Sequence, residues 1–166
     1  MKVLVLGGYG NFGARICRAL ATDTDIALLV AGRDAARASA LAHASGPRAA
    51  GVALDLNQGD LARRLAALGA DLLVHTAGPF QAQGYTVAAA AAEARMHYLD
   101  LADGRRFVCD FPAALDAAFR RAGRTAISGA STVPGLSSAV VDALCAGWRR
   151  IDRIAMCIAP AQTAPR

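Results

Sequence analysis

A glycine-rich turn near the amino terminus constrains the possible folds of this chain more than any other stretch. The turn, Gly-Gly-Tyr-Gly-Asn-Phe-Gly at residues 7–13, follows the apolar run Val3–Leu6, and apolar residues at helical spacing begin directly after it, at residues 14–20. A strand, a glycine turn and a helix in this order are the context in which a G-x-G-x-x-G motif indicates dinucleotide binding. The alternative is a glycine-rich turn that holds no ligand.

Each glycine of the motif has a predicted physical role. Gly8 allows a tight turn after the strand, Gly10 allows the backbone to approach a pyrophosphate, and Gly13 lets the helix pack closely against the strand. The free backbone N–H groups and the positive dipole end at the start of the helix then face the phosphates. The remaining residues of this predicted cofactor-binding turn are Tyr9, Asn11 and Phe12.

Short apolar runs alternate with helical spacing along the rest of the chain. The runs that predict the second to sixth strands occupy residues 26–31, 51–54, 71–76, 97–101 and 124–128. This alternation predicts an α/β fold of the Rossmann type, a doubly wound parallel sheet in a three-layer α/β/α arrangement. The predicted helices include residues 58–68 and 110–123, and a further apolar run, Ile151–Ala159, predicts a last strand.

The end of the second strand favours NADP over NAD. In a dinucleotide fold this strand end meets the adenosine ribose. Gly32 leaves space there, and the planar guanidinium of Arg33 could bind a 2′-phosphate, although Arg33 could also be a solvated loop cation. Asp34 could accept a hydrogen bond from the ribose, as in NAD enzymes, or cap the following helix. We therefore predict NADP(H) as the cofactor and keep NAD(H) as the alternative.

The ends of the third and fourth strands carry further predicted cofactor-binding residues. Asp55 and Leu56 follow the third strand, near the expected adenine edge. Asp55 could accept a hydrogen bond from the exocyclic amine, or it could cap the helix predicted over residues 58–68. The residues that follow the fourth strand are Ala77, Gly78, Pro79 and Phe80.

These four residues lie beside the predicted reversal of strand order, where ligands bind in doubly wound sheets. Ala77 and Gly78 are small enough for the backbone to run past the nicotinamide-side ribose, and Pro79 continues that predicted wall. Phe80 could wall the nicotinamide ring or belong to the apolar core.

Composition narrows the range of partners. The formal net charge is +5, and seventeen of the eighteen basic residues are arginines, scattered without a nucleic-acid-reading motif. We therefore predict a nucleotide partner and no nucleic acid. Glycine, proline and glutamine interrupt the long uncharged stretch at residues 72–92, and the first strand begins at residue 3, so neither a membrane span nor a signal peptide is expected.

Cysteine and histidine spacing predicts no metal site. The four cysteines form no C-x-x-C pair, and the three histidines do not occur at metal-ligand spacing. Buried free thiols are the expected state of the cysteines, which is typical of a reducing, cytoplasmic location.

The sequence predicts no catalytic residue. Lys2 is the only lysine, so a Tyr-x-x-x-Lys pair is impossible, and neither a P-loop nor a G-x-S-x-G elbow occurs. Asp100 and Asp103 lie near the end of the fifth strand, where we expect capping and turn formation to be their roles.

Five motifs follow one another along the chain. They are residues 7–13, 31–33, 76–80 (Thr-Ala-Gly-Pro-Phe), 98–102 (Tyr-Leu-Asp-Leu-Ala) and 129–136 (Gly-Ala-Ser-Thr-Val-Pro-Gly-Leu). Together they resemble the N-terminal NADP-binding domain of saccharopine dehydrogenase-like oxidoreductases. The resemblance implies reversible hydride transfer, with NADP(H) preferred, at a carbon–nitrogen bond of a small-molecule substrate.

The resemblance also implies a domain organisation. Residues 1–150 would form the Rossmann NAD(P)-binding domain, and residues 151–166 would begin a second α+β domain that binds substrate and mediates dimerisation. A homodimer is then expected, and residues 1–166 alone are expected to be inactive. The alternative, from a different functional class, is a non-catalytic NAD(P)-binding sensor or regulatory protein. The absence of a predicted catalytic acid–base pair is equally consistent with this alternative.

Overall fold

A computed structural model describes residues 1–157, in which strands and helices alternate. The six strands of this part are β1 Lys2–Leu6, β2 Ala27–Gly32, β3 Ala49–Ala53, β4 Leu72–His75, β5 His97–Asp100 and β6 Ala126–Ile127. Its six α-helices are α1 Asn11–Leu20, α2 Ala35–Ser45, α3 Leu61–Leu68, α4 Thr86–Glu93, α5 Arg105–Ala122 and α6 Ser137–Leu144. A kinked turn, Thr132–Leu136, in which Val133 has an extended backbone, leads into α6.

The strands form one parallel sheet in the order β3-β2-β1-β4-β5-β6. The strand β1 is central, and Leu6 at its end pairs in register with Ala31 of β2 and His75 of β4. Chain order therefore reverses between β1 and β4, as in a doubly wound Rossmann sheet. The predicted fold class is confirmed.

Both faces of the sheet are buried, which explains why its strands are continuous apolar runs. Side chains alternate between faces along a strand. Val3 and Val5 of β1 accordingly pack on the side covered by α1 and α2, with Cys17 of α1 buried there. Leu4 and Leu6 pack on the opposite side, among buried residues of α3, α4 and α5.

Two helices differ in extent from their predictions. The helix α3 begins at Leu61 rather than residue 58, because Asp60 caps it by accepting a hydrogen bond from the Arg63 N–H at 3.2 Å. The helix α5 begins five residues before residue 110. Its buried side chains recur every fourth residue along one helical face, at Phe107, Phe111, Leu115 and Phe119.

The predicted strand Ile151–Ala159 is wrong over its described part. Residues 151–157 belong to no helix or strand and are exposed, and residues 158 and 159 lie outside the described residues. An apolar run becomes a strand only where a neighbouring strand completes its hydrogen bonds. Among residues 1–157, β6 pairs with β5 alone, and no further strand lies beside it.

Candidate cofactor site

The carboxyl ends of β1, β2 and β4 surround a cleft of about 650 Å³ at the reversal of strand order. This is the position at which doubly wound sheets bind ligands. Seven of the predicted cofactor-binding residues line the cleft: Tyr9, Gly10, Arg33, Asp55, Leu56, Ala77 and Gly78.

The glycine turn closes tightly over the end of β2. Gly7 has a φ of +77°, and the N–H groups of Gly7 and Gly8 both donate to the Ala31 carbonyl, at 2.9 and 3.0 Å. The left-handed residue of the turn is thus Gly7. At Gly8 a Cβ would obstruct the turn, since it would lie 2.8 Å from Cγ1 of Val30.

Gly13 provides the close helix–strand contact that its position in the motif predicts. A Cβ on Gly13 would lie 2.2 Å from the Gly7 carbonyl oxygen and 2.8 Å from Oγ1 of Thr76. Gly8 and Gly13 are both buried, so they shape the turn from beneath rather than line the cleft.

The start of α1 carries no side-chain cap. Gly10 is the N-cap residue and offers no side-chain acceptor, and the first turn contains no acidic residue. The first backbone hydrogen bond of the helix runs from the Ala14 N–H to the Gly10 carbonyl oxygen, at 2.9 Å. The N–H groups of Asn11 and Phe12 come before it in the chain. Uncapped N–H groups at the positive end of a helix dipole suit an anion such as a pyrophosphate.

Thr76 is a structural residue of the site that sequence reasoning missed. Its hydroxyl group lies 2.8 Å from the Leu6 carbonyl oxygen and 3.2 Å from that of Gly7. It therefore joins the end of β4 to the end of β1 where chain order reverses. The one feature in the sequence that could have indicated this role is a hydroxyl-bearing residue directly after a buried strand.

A second recess, of about 1000 Å³, adjoins the cleft and shares Thr76 and Gly78 with it. Asp103 is the one acidic side chain among its described lining residues, and it accepts a hydrogen bond from the Gln81 amide at 2.8 Å. The predicted site residues in this recess are Asn11, Phe12, Gly78, Pro79 and Phe80.

Phe80 is buried, and its ring packs edge-on against His75 and Phe107 at centroid distances of 5.0 and 5.6 Å. Of the two alternatives predicted for Phe80, its ring packing agrees with a place in the apolar core. Phe80 nevertheless forms part of the second recess, so a position beside the nicotinamide stays a prediction.

The end of β2 is occupied by the ring of Tyr9. A Cβ on Gly32 would lie 2.4 Å from Cε1 of Tyr9, so the space predicted at Gly32 is filled by that ring. The Tyr9 hydroxyl accepts a hydrogen bond from the Asp34 N–H at 2.8 Å, and the guanidinium of Arg37 lies 4.5 Å from the ring centroid. The exposed side chain of Arg33 lines the cleft next to these residues.

Two acidic residues that follow β2 and β3 have defined local partners. Asp34 caps α2 by accepting a hydrogen bond from the Arg37 N–H at 3.0 Å, which is the cap alternative predicted for it. Asp55 accepts from the Asn57 N–H at 3.0 Å. The cap alternative for Asp55 is wrong, because Asp60 caps α3; contact between Asp55 and an adenine stays a prediction.

Asp100 is wholly buried beneath the second recess. One of its carboxylate oxygens accepts hydrogen bonds from the N–H groups of Ala102 and Gly129, at 3.0 and 2.9 Å, and from the Ser128 hydroxyl at 3.0 Å. Its backbone carbonyl accepts from the Ala130 N–H at 2.9 Å. The predicted turn-forming role is confirmed, and this side chain holds the loop that walls the recess.

His75 and Tyr98 complete a buried polar cluster with Asp100. Nδ1 of His75 lies 3.1 Å from the Tyr98 hydroxyl, whereas Nε2 of His75 and Oδ2 of Asp100 have no hydrogen-bond partner within residues 1–157. Burial lowers the pKa of His75 to about 4, against the opposing effect of the Asp100 charge. Burial, reinforced by Asp100, raises the pKa of Tyr98 above its usual range.

Acid destabilisation is expected from His75. Burial lowers the pKa of His75 from 6.5 in the unfolded chain to about 4 in the folded chain, so the unfolded chain binds the proton more readily. The free energy of unfolding should therefore fall by about 3 kcal/mol as the pH drops through that window. Urea unfolding at intervals from pH 7 to pH 4 measures this fall, and a His75→Gln variant should show a flatter profile. Identical pH slopes for the two proteins would contradict the prediction.

The described residues show neither a metal cluster nor a membrane-crossing helix. Within residues 1–157, no three histidine, cysteine or acidic side chains gather at a point where a metal ion could bind. In the same range, no helix has the length and apolar character needed to cross a bilayer. Cys17 is buried, and burial raises the pKa of its thiol to about 11. The prediction of buried thiols is wrong for Cys109 and Cys157, which are exposed, and for the half-buried Cys145.

Comparison with known families gives a match over most of the chain. The family model described as saccharopine dehydrogenase NADP binding domain matches residues 3–127. No protein of curated function matches the chain.

Solved structures with the same fold include two dehydrogenases. Saccharopine dehydrogenase (L-Glu forming) from Saccharomyces cerevisiae is 23% identical, with a TM-score of 0.59 over 86% of this chain and 31% of that one. A putative zinc-dependent alcohol dehydrogenase from Rhizobium etli is 17% identical, with a TM-score of 0.52 over 76% of this chain and 34% of that one. The chain thus spans about a third of the length of either protein, and at these identities the likeness shows the fold alone.

Proposed function

Because the chain belongs to the saccharopine dehydrogenase NADP-binding domain family, we propose that it binds NADP(H) for hydride transfer to and from a small-molecule substrate. The observation that carries the proposal is the cleft at the reversal of strand order, with the glycine turn and the uncapped start of α1 at its edge. These features fit a dinucleotide, since the bare backbone of the turn leaves room for a pyrophosphate.

The pyrophosphate is proposed to lie against the turn of residues 7–13. Gly10 contributes an exposed, side-chain-free backbone, and Asn11 and Phe12 contribute N–H groups at the start of α1. Gly8 and Gly13 act from beneath by allowing the tight packing that holds this backbone in place. Tyr9 forms the cleft wall between the turn and the end of β2.

The adenosine half is proposed to lie between the ends of β2 and β3. Arg33 would bind the 2′-phosphate, and Asp55 and Leu56 would border the adenine. The three residues line the same cleft as the glycine turn, which supports one continuous binding surface. The planar guanidinium of Arg33 suits bidentate hydrogen bonding to a phosphate.

The nicotinamide half is proposed to pass Ala77 and Gly78 into the second recess, beside Pro79 and Phe80. Gly78 borders both cavities, so a dinucleotide could extend from one into the other. When bound, the cofactor supplies the hydride chemistry. The residues of this chain orient the ring toward the recess, and no acid or base among them is assigned a catalytic role.

We also propose the division into residues 1–150 as the cofactor-binding domain and residues 151–166 as the start of a substrate-binding and dimerisation domain. Within residues 1–157, all strands of the sheet occur by Ile127, and α6 buries none of its side chains. The large apolar side chains exposed beyond β6 support a covering protein surface here: Leu136, Val140, Leu144, Trp148, Ile151, Ile154 and Met156. Homodimerisation and a cytoplasmic location stay predictions.

The proposed cofactor preference is tested at Arg33. We expect Arg33→Ala to lower NADPH affinity by about tenfold to a hundredfold, because charge-assisted hydrogen bonds to the phosphate are lost. NADH affinity should be unchanged. Calorimetric titration of the purified chain with NADPH and with NADH measures both affinities. Arg121→Ala is the matched control, because it removes an equal charge from the last turn of α5, away from the cleft. Equal wild-type affinity for NADPH and NADH would overturn the NADP preference.

A further inference from the structure

We propose that Arg37 is a second ligand of the cofactor's 2′-phosphate, held in position by the ring of Tyr9. Arg33 and Arg37 would together discriminate NADP from NAD. The inference rests on the proposed function, because it concerns the adenosine end of the same cleft. It adds a residue that carries no signal in the glycine motif or at the strand ends.

The position of Arg37 is set by a stacked side-chain pair. Arg37 lies in the first turn of α2, four residues after Arg33, and its guanidinium carbon is 4.5 Å from the centre of the Tyr9 ring. This distance is within the range of a cation–π interaction. Tyr9 and Arg33 line the cleft, whereas Arg37 does not line it itself. The stacking on Tyr9 holds the Arg37 guanidinium beside this part of the cleft wall, from which we infer that it reaches the 2′-phosphate.

The Tyr9 ring is itself fixed on two sides. Its hydroxyl accepts the Asp34 N–H at 2.8 Å, and its ring edge lies so close to Gly32 that a Cβ there would be 2.4 Å from Cε1. Such a ring is a rigid platform. An arginine stacked on it loses less side-chain freedom when a ligand binds than a freely mobile arginine does.

Both guanidiniums keep their hydrogen-bonding capacity for a ligand. Within residues 1–157, no carboxylate lies within 4 Å of Arg33 or Arg37, whereas four other arginines of that range do form ion pairs. The nearest acidic residue in sequence, Asp34, accepts from the backbone N–H of Arg37 instead. Stacking occupies only the face of a guanidinium, and its N–H donors point outward in the plane.

The charge of the ligand favours two cations over one. A phosphate monoester carries about −1.5 to −2 charges at neutral pH. A single arginine neutralises one of these charges, and a second guanidinium, that of Arg37, offsets the remainder. A 2′-hydroxyl has no such charge, so the second cation favours only the phosphorylated cofactor.

The test uses two probes that contain only the adenosine half. Adenosine 2′,5′-bisphosphate and adenosine 5′-monophosphate are titrated into the wild-type chain and the Arg37→Ala, Tyr9→Phe, Tyr9→Leu and Arg121→Ala variants. We expect Arg37→Ala to lower bisphosphate affinity by about tenfold, with monophosphate affinity unchanged. Tyr9→Phe keeps the aromatic face and should retain the bisphosphate preference, whereas Tyr9→Leu should lose part of it. Circular dichroism of each variant checks that it is folded.

The possible failures are distinguishable. A wild-type chain that binds both probes equally would overturn the NADP preference and this inference with it. A wild-type chain that prefers the bisphosphate, with the preference intact in Arg37→Ala, would overturn the inference alone. Equal losses for both probes in Arg37→Ala, or a loss no greater than in Arg121→Ala, would show a general charge effect and would also overturn it.

Discussion

Replacing Gly13 with alanine is expected to abolish measurable NADPH binding and to destabilise the fold by about 3 kcal/mol, at the upper end of the usual cost of overpacking. The added Cβ would lie 2.2 Å from the Gly7 carbonyl oxygen and 2.8 Å from Cα of Gly8. Both atoms belong to the turn, so the turn cannot keep its shape while α1 stays against the sheet. Calorimetric titration measures the binding, and urea unfolding measures the stability.

The matched control is Gly59→Ala. A Cβ at Gly59 would meet no described heavy atom within 4 Å, so this variant adds the same methyl group without a clash. It should bind NADPH as the wild-type chain does. A Gly13→Ala protein with wild-type affinity and stability would show that the turn tolerates a side chain, which would contradict the close packing of α1.

Replacing Asp100 with alanine is expected to lower the free energy of unfolding by about 3 kcal/mol, because unsatisfied buried donors cost about 1–3 kcal/mol each. The carboxylate accepts from the buried N–H groups of Ala102 and Gly129 and from the Ser128 hydroxyl. Relief of the buried charge offsets part of the loss. Urea unfolding of the variant and the wild-type chain at pH 7 measures the difference.

An Asp100→Asn variant separates hydrogen bonding from charge. Asparagine keeps one carbonyl oxygen for the same three donors, and its amide replaces the oxygen that has no partner within residues 1–157. We expect this variant to be clearly more stable than Asp100→Ala. Equal losses for the two variants would mean that the charge, rather than the accepted hydrogen bonds, makes Asp100 important to the fold.

The buried cluster of His75, Tyr98 and Asp100 shows why strand residues are hard to interpret from sequence. His75 and Asp100 are register partners on β4 and β5, but nothing in either strand reveals which neighbours they meet. An aspartate at a strand end is typical of turns, and Asp100 does form one. Its contact with Gly129, 29 residues away, depends on where β6 lies in the sheet.

The cofactor site likewise contains both residues that the sequence predicted and contacts that it did not. Apart from the buried Gly8 and Gly13, the residues predicted to meet a dinucleotide line two adjoining cavities. They do so because they follow parallel strands, which end at one edge of the sheet. The Thr76 bridge to Leu6 and the stacking of Arg37 on Tyr9 were not predictable in this way. They depend on side-chain directions across elements that lie far apart in the chain.

Local sequence patterns are sufficient to predict the glycine turn, the alternation of strands and helices, and therefore the Rossmann class of the fold. These features follow from local physics, namely apolar periodicity and the steric freedom of glycine. Two contacts become evident only once the chain is folded: Tyr9 fills the space at Gly32, and Thr76 joins β4 to β1. The reason is distance along the chain. Tyr9 forms a hydrogen bond with Asp34, 25 positions away, and Thr76 forms one with Leu6, 70 positions away. Such contacts arise only when the sheet is assembled.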